Sequence, residues 1–248
     1  MKNGSKDTGN GRMKGNKLYK YPPCVRSTID GARNYEIGKE RLPSVTTILS
    51  ATQDSQKAES LAKWRLKVGE NVAEKITNEA ARRGTAMHSY LECHVKGGNL
   101  LDLTDIGQDA SSMGQEIIKQ GFNDLEEVWG SEVTLYYPEL YAGQTDLCGI
   151  YQGRESIVDF KQTNKPKRME WIGDYFLQLA AYAMAHDQVY GTCVEQGVIL
   201  MCSKDGFFQR FIVNGKNFTG YKHKFLEKIG QFYRKTGQKK SKKEVKKG

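Results

Sequence analysis

Cysteines are few and scattered in this chain, and long apolar runs are absent. The five cysteines, at positions 24, 93, 148, 193 and 202, include no C-x-x-C pair, which disfavours a structural zinc site and a compact iron–sulfur cluster. No run approaches the roughly 18–20 apolar residues of a membrane span. No secretory signal is visible, and the N-terminal segment lacks the apolar face of a mitochondrial presequence. An odd number of thiols without a signal is typical of a reducing cytoplasm, so we expect a cytoplasmic protein with no membrane segment.

Basic residues are concentrated at the two ends of the chain. Residues 1–20 hold six Lys or Arg and one Asp, and residues 239–248 hold six Lys and one Glu. These ends account for the net charge of +9, and the rest is formally close to neutral. Basic ends are typical both of loose attachment to a polyanion and of solubilising tails, and both interpretations stay open. We predict a disordered basic tail over 1–17, one domain over 18–237 and a disordered Lys-rich tail over 238–248.

Apolar spacing predicts helices first and a mixture of strands and helices afterwards. Residues 18–37 are expected to form turns and a short hairpin. Helices are predicted from position 45 and over about 55–67, 70–82, 85–95, 111–129, 170–190 and 216–236, with a glycine at 84 interrupting the third. Strands are predicted over 131–137, 147–151, 156–161, 194–202 and 207–213. This order predicts an α/β domain in which helices flank a mixed central β-sheet, with a helical N-terminal part.

The stretches LCGIY and SIVDFK, on either side of residues 152–154, predict a β-hairpin. Asp159 and Lys161 project from one face of its second strand, because side chains two residues apart do so. Asp146 can join them if the register brings the strands side by side. Two carboxylates can hold a hard divalent cation, and a lysine can orient water or balance the charge of a reacting phosphate. The alternative is a solvated surface ion pair.

Two further pairs of residues each admit two interpretations. His88 and Glu92 are one turn apart on one helix face, where the histidine is either a ligand or a structural residue. Ser44 and Thr46 can offer hydroxyl groups to a phosphate, or Ser44 can simply cap a helix that begins at the next residue.

Four spaced motifs occur in the order R-G-T-A-M-H, G-Q-T-D, D-F-K and Q-L-A-A-Y, after an R-L-P-S-V-T-T-I-L segment. This order resembles the signature of RecB-like nucleases in the PD-(D/E)XK superfamily. The longer segments are similar to the mitochondrial genome maintenance exonucleases and their phage and bacterial relatives. The resemblance covers roughly residues 41–236. It implies a mixed sheet flanked by helices, in agreement with the predicted order, and no iron–sulfur cluster, because cluster-bearing relatives have grouped cysteines that this chain lacks.

The resemblance implies roles for particular residues around a metal. Asp146 and Asp159 match metal-binding aspartates that serve catalysis, and Lys161 matches the catalytic lysine. His88 matches a helix histidine that is a metal ligand in many relatives. The backbone carbonyl of Phe160 would be a further ligand. The cofactor implied is Mg²⁺ or Mn²⁺.

The resemblance also implies DNA contacts. Gln178 and Tyr182 match a pair that positions DNA near the cut, where Tyr182 could stack on a base or touch a phosphate, although the same helix could equally be core. Lys165 and Lys167 match a basic pair after the catalytic strand.

The resemblance also points to two further acidic residues and to one position where this chain differs from its relatives. Glu132 lies where relatives often carry a strand glutamate, and it is a possible additional acid together with Glu92. Gln162 stands where close relatives often have threonine, which affects fine hydrogen bonding and removes no required group.

The function implied is a Mg²⁺-dependent deoxyribonuclease, most simply an exonuclease on single-stranded ends or flaps, in DNA replication, repair or processing. A duplex-specific exonuclease or endonuclease of the same superfamily and a non-catalytic DNA-binding module are the alternatives. Without a G-x-x-x-x-G-K-[ST] motif, the chain would depend on ends already single-stranded or on a separate helicase or polymerase. We expect it in the cytoplasm of a bacterium or a phage-infected cell rather than in a mitochondrion.

Overall fold

Two β-sheets of unequal size organise the part of the chain that this computed structural model describes, residues 14–15, 19–29 and 31–237. The strands are β1 (Lys14–Gly15), β2 (Val25–Ile29), β3 (Ala32–Ile37), β4 (Glu40–Pro43), β5 (Leu125–Tyr137), β6 (Tyr141–Tyr151), β7 (Arg154–Thr163), β8 (Gln196–Ser203) and β9 (Phe208–Asn214). The helices are α1 (Val45–Ala51), α2 (Ser55–Val68), α3 (Glu70–Val95), α4 (Asp105–Gly121), α5 (Gly173–Tyr190) and α6 (Gly215–Thr236). Short 3₁₀ turns cover Phe122–Asp124 and Met169–Trp171.

The larger sheet is mixed, as predicted. Its strand order is β1-β5-β6-β7-β8-β9. The β1–β5 and β7–β8 pairs are parallel and the others are antiparallel. Strand β7 lies inside the sheet, where it pairs with β8 over most of its length and with β6 over residues 154–158.

Helices cover both faces of this sheet. Helices α1, α5 and α6 pack with residues such as Ile157 and Ile199 on one face. Helices α3 and α4 pack with Val158, Phe160 and Val198 on the other. The alternation of β7 side chains between the two cores follows from the period of two along a strand. The predicted α/β class, with helices on both sides of a mixed sheet, is confirmed.

The predicted hairpin is also confirmed. Tyr151 pairs with Arg154 at the end of β6 and the start of β7. The two residues between them, Gln152 and Gly153, have φ values of 49° and 71°, and positive φ at both central positions is the geometry of a tight two-residue hairpin turn.

Three local predictions were wrong. Helix α3 runs through Gly84 without interruption; the glycine faces β7, where an added Cβ would make an ordinary 3.5 Å contact with the Gln162 side chain. The helix predicted over 111–129 ends at Gly121, and Leu125 begins β5, whose register shifts near 125–130 disturb the strand period. Residues 25–43 form a three-stranded antiparallel sheet, β2-β3-β4, where only turns and a short hairpin were expected.

The predicted tails, 1–17 and 238–248, lie outside the described residues apart from the two residues of β1. Within the described ranges, no helix combines the length and the apolar character needed to cross a bilayer.

Candidate active site

A cleft of about 780 Å³ opens between α3, the small sheet and the region where β6 and β7 separate. Its walls include ten of the side chains proposed from the sequence, namely Ser44, Thr46, His88, Glu92, Glu132, Asp146, Asp159, Lys161, Gln178 and Tyr182. The fold therefore brings together residues from six separate segments of the chain.

The two aspartates meet where the β6–β7 ladder ends. Leu147 pairs with Val158, so one step further along each strand places Asp146 beside Asp159. The Phe160 backbone N–H donates a 2.7 Å hydrogen bond to Oδ2 of Asp146. Asp146 and Asp159 are only 8% and 2% exposed. Two nearly buried carboxylates side by side are unfavourable unless cations compensate them.

A histidine and two carboxylates form a group with the spacing of metal ligands. His88 Nδ1 lies 3.3 Å from Oδ1 of Asp146 and 3.6 Å from Oε1 of Glu132. One potential ligand atom from each of the three residues lies within 4.8 Å of the others. A set of one imidazole and two carboxylates fits a divalent cation. The group contains Glu132, the possible additional acid, in place of Asp159.

Glu132 owes its position to an uncommon backbone conformation. It has a φ of 53° within β5, in the left-handed region that non-glycine residues seldom occupy. Gln144 on β6 donates to the Glu132 carbonyl oxygen at 3.1 Å. Such strain persists where the surrounding structure over-determines it, and it often accompanies function.

Lys161 forms an ion pair with Asp159. Its Nζ also lies 5.1 Å from the centre of the Tyr175 ring, a cation–π distance. Burial opposes the charge of Lys161, but Asp159 and Asp146 more than offset this effect and raise its pKa. The lysine is therefore a fixed positive charge at neutral pH, at the wall of the cleft.

The acids and the histidine perturb one another strongly. Burial, together with the negative charge of Asp146, raises the pKa of Asp159 to about 6, against the influence of Lys161. For Asp146, burial acts upward, but His88, Lys161 and the Phe160 N–H together lower its pKa. Burial also opposes the charged form of His88, yet Asp146 and Glu132 raise its pKa to about 10. Without a cation the histidine is protonated, and it must lose that proton to become a ligand through Nδ1.

The Gln178–Tyr182 pair is partly structural. Nε2 of Gln178 donates to the Tyr182 hydroxyl at 3.1 Å. The Tyr182 ring is only 3% exposed and packs against Gly143, where an added Cβ would lie 2.6 Å from Cε1 of the ring. The burial of Tyr182 favours the alternative in which this helix is part of the core, and contact of Tyr182 with a base or a phosphate stays a prediction. The hydroxyl holds the half-buried Gln178 amide at the cleft.

Ser44 caps a helix, as the simpler of its two interpretations predicted. Its Oγ accepts a 2.9 Å hydrogen bond from the Thr47 N–H and donates to Oγ1 of Thr47 at 2.8 Å. Ser44 is buried, whereas Thr46 is exposed and lines the cleft. Both residues line the cleft, and their contact with a phosphate stays a prediction.

The remaining predicted residues lie further from the acidic cluster or outside the cleft. Glu92 lines the cleft and forms an ion pair with Lys96. Lys165 and Lys167 lie on the loop after β7, and neither is among the residues that line the cleft. Their contact with DNA stays a prediction, as does the ligand role of the Phe160 carbonyl.

A buried arginine to which the motifs gave no role lies close to the site. Arg83 on α3 donates from Nε and Nη2 to Oε1 of Gln162 at 3.1 and 3.0 Å, and also to Oδ1 of Asn164. Gln162 in turn donates to the Ala80 carbonyl oxygen at 3.1 Å. The R-G-T motif and the unusual glutamine were both visible, but only the fold shows that they bind each other and tie α3 to β7.

The mixed sheet and this cluster of histidine, carboxylates and lysine are consistent with a nuclease of the PD-(D/E)XK type. By sequence, the chain is similar to mitochondrial genome maintenance exonuclease 1 of several vertebrates. The human protein is 30% identical over 174 residues, which cover 66% of this chain and 50% of the relative. The Xenopus tropicalis protein is 30% identical over 189 residues, which cover 71% of this chain and 52% of the relative. The chain is a homologue of these exonucleases and spans about half of their length. The resemblance predicted from the motifs is therefore confirmed.

Other comparisons are more distant. No family model matches the sequence. A candidate exonuclease of Eubacterium rectale has a TM-score of 0.46 and 16% identity, covering 65% of this chain and 69% of that one. The alkaline exonuclease of Laribacter hongkongensis has a TM-score of 0.27 and 12% identity, covering 60% and 83%. At these scores neither structure adds to the argument.

Proposed function

We propose that the chain is a divalent-metal-dependent deoxyribonuclease that hydrolyses phosphodiester bonds at single-stranded DNA ends or flaps. The observation that carries this proposal is the convergence of His88, Glu132, Asp146, Asp159 and Lys161 in one cleft. The exonuclease relatives support it. The preference for single strands and the identity of the metal are part of the proposal.

The donor set fits Mg²⁺ or Mn²⁺. His88, Glu132 and Asp146 would hold the ion, with Asp159 close beside them. Such an ion supplies positive charge that offsets the charge of a phosphodiester and makes water more acidic. The ion would also stabilise the buried carboxylates, because water cannot fully solvate their charges in this site.

The chain's own residues supply the remaining chemistry. Lys161, held by Asp159 at the cleft wall, is placed to orient the attacking water or to stabilise negative charge that develops on phosphate oxygen. Gln178, held by the Tyr182 hydroxyl, presents an amide to the strand. Because the chain carries no motor motif, it would act on exposed ends or beside a separate helicase or polymerase.

Digestion of end-labelled DNA tests the proposal. Single-stranded and duplex substrates, linear and circular, are incubated with the full chain in Mg²⁺, Mn²⁺ or EDTA. We expect linear single strands to shorten in either metal, circles to survive, and EDTA to stop the reaction. Nicked circles would support the endonuclease alternative, and DNA binding without cleavage would support the non-catalytic module.

Two variants connect the activity to this cleft. Asp159→Asn and Lys161→Met should each reduce cleavage by at least a hundredfold, because one removes a charge from the acidic cluster and the other removes the fixed ammonium. Lys204→Met is the matched control, since Lys204 pairs with Asp109 outside the cleft. Cleavage at the wild-type rate by either cleft variant contradicts the assignment.

A further inference from the structure

The small sheet forms one wall of the same cleft. Arg26, Arg33 and Tyr35 line it together with Asp146. Arg26 is the ladder partner of Tyr35, and Arg33 lies two residues before Tyr35 on β3. Directly paired residues, and residues two apart, project from one face of a sheet. The three side chains therefore share the face that looks into the cleft.

The two arginines lie near enough to Tyr35 for their charges to act on its hydroxyl. Burial raises the pKa of Tyr35, and the positive charges of Arg33 and Arg26 act against that rise. Both arginines are exposed, whereas Tyr35 is buried. Two exposed positive charges thus line the cleft beside a buried tyrosine.

No described carboxylate neutralises these arginines. The neighbouring Arg41, on the same small sheet, pairs with Glu36 at 2.8 Å. Within the residues that the structure describes, neither Arg26 nor Arg33 has an acidic group at salt-bridge distance. Arginine offers several N–H donors in a planar fork that matches a phosphate, so both groups have donors suited to an anion.

Backbone contacts fix the position of this wall. The Arg33 N–H donates to Oγ1 of Thr47 at 3.1 Å, and the Arg33 carbonyl accepts from Oγ1 of Thr47 at 3.0 Å and from the Ser44 N–H at 2.9 Å. Ser44 also forms a bridge to Ala142 on β6, the strand that carries Asp146. Backbone contacts therefore connect the strand of Arg33, through Ser44, to the strand that carries Asp146.

We propose that Arg26 and Arg33 form a phosphate-binding wall that holds the backbone of the DNA strand next to the bond being cut. This inference rests on the proposed function. The acidic cluster by itself repels a polyanion, so a strand in the cleft needs compensating positive charge away from the reacting group. These arginines contact phosphates that are not cleaved, and they act on binding rather than on the chemical step.

Salt-dependent binding of a labelled oligonucleotide tests the wall. A fluorescein-labelled single-stranded 20-mer is titrated with the full chain in EDTA, which prevents cleavage, at several salt concentrations. Each phosphate contact in single strands contributes about 0.7 to the slope of log affinity against log salt. The Arg26→Ala/Arg33→Ala double variant should therefore lower the slope by about 1.4 and weaken binding by at least roughly tenfold at low salt. The matched control is Arg41→Ala, which loses one arginine from the same sheet outside the cleft and should bind as the wild type.

Steady-state cleavage of the same 20-mer supplies a second reading. The double variant should raise KM by a similar factor and leave kcat within about twofold, because the reacting groups are intact. Arg26→Lys/Arg33→Lys should restore most of the salt slope, since the charge is retained.

The outcomes separate this inference from the proposed function. A double variant with the salt slope and affinity of the wild type contradicts the proposed phosphate-binding wall. If the wild-type chain still cleaves DNA, the nuclease proposal is unaffected by that result. A loss of kcat with unchanged binding also contradicts the wall. A wild-type chain that neither binds nor cleaves any DNA defeats the proposed function first. If the double variant fails to melt cooperatively, Arg26→Gln and Arg33→Gln are measured singly, and each must lower the slope by about 0.7 for the wall to stand.

Discussion

Breaking the hydrogen bonds between Arg83 and Gln162 should lower the free energy of unfolding measurably. Gln162→Ala removes the acceptor of two hydrogen bonds from a buried guanidinium, at 3.1 and 3.0 Å, and the donor to the Ala80 carbonyl at 3.1 Å. Asn164 remains as an acceptor for Arg83.

The expected loss of stability follows from these contacts. A hydrogen bond to a charged group contributes about 1.5–3 kcal/mol, and a neutral one about 1 kcal/mol. The freed side-chain entropy of glutamine, up to about 2 kcal/mol, and the remaining Asn164 contact offset part of this loss. We expect a net destabilisation of about 2 kcal/mol, which lowers Tm by roughly 4–8 °C in a chain of this size.

Urea unfolding measures this value through the midpoint and the m-value. Gln162→Glu is the control, because it keeps an acceptor for Arg83 and loses only the donor to Ala80, so it should cost less than about 1 kcal/mol. A double-mutant cycle with Arg83→Met isolates the pair, and we expect a coupling energy of about 1.5–3 kcal/mol. A coupling below about 0.5 kcal/mol would refute the reasoning, since the buried guanidinium would then be stabilised by other groups.

Two more perturbations test the surroundings of the cleft. In EDTA the pKa of His88 is raised to about 10, so its stabilising charge is fully present below its ordinary pKa of about 6.5 and is lost as the pH rises through 10. Because 29% of the His88 side chain is exposed, its charge contributes on the order of 2 kcal/mol to the free energy of unfolding. Urea unfolding from pH 7 to 10 should show the stability of the wild type falling more than that of His88→Gln. Parallel pH curves for the two proteins would contradict this expectation. Gly143→Ala places a Cβ 2.6 Å from the buried Tyr182 ring, which should cost about 1–3 kcal/mol and disturb the Gln178 amide. Thermal melting should show this loss but none for the control Gly220→Ala, whose Cβ would meet open space, and equal melting of the two variants would exclude the clash.

The parts of the fold that sequence predicts well are those encoded locally. The turn at Gln152 and Gly153 needs only neighbouring residues, and it sets the register that brings Asp146 beside Asp159. The Ser44 cap is equally local. In contrast, the register shifts at the start of β5 hide its period, so residues that belong to a strand resemble a helix face.

The parts of the site that sequence could not supply depend on distant segments. Glu132 reaches His88 through a left-handed backbone conformation that no residue pattern announces. Arg26 and Arg33 become cleft residues only because the small sheet docks on α1 and β6. Gln162 lies on β7 and its partner Arg83 lies on the distant helix α3, so the presence of glutamine in place of threonine could be noticed but not interpreted from the sequence.

The place of β7 inside the sheet has a consequence for how the protein is made. Its partner on one side, β6, precedes it, but its parallel partner β8 begins only at Gln196, after the whole of α5. On a ribosome, the strand that carries Asp159 and Lys161 therefore emerges with one open edge, which can pair with other chains. The nascent polypeptide completes the sheet around Asp159 and Lys161 only after most of the domain has been translated, and a chain that stops before β8 should aggregate.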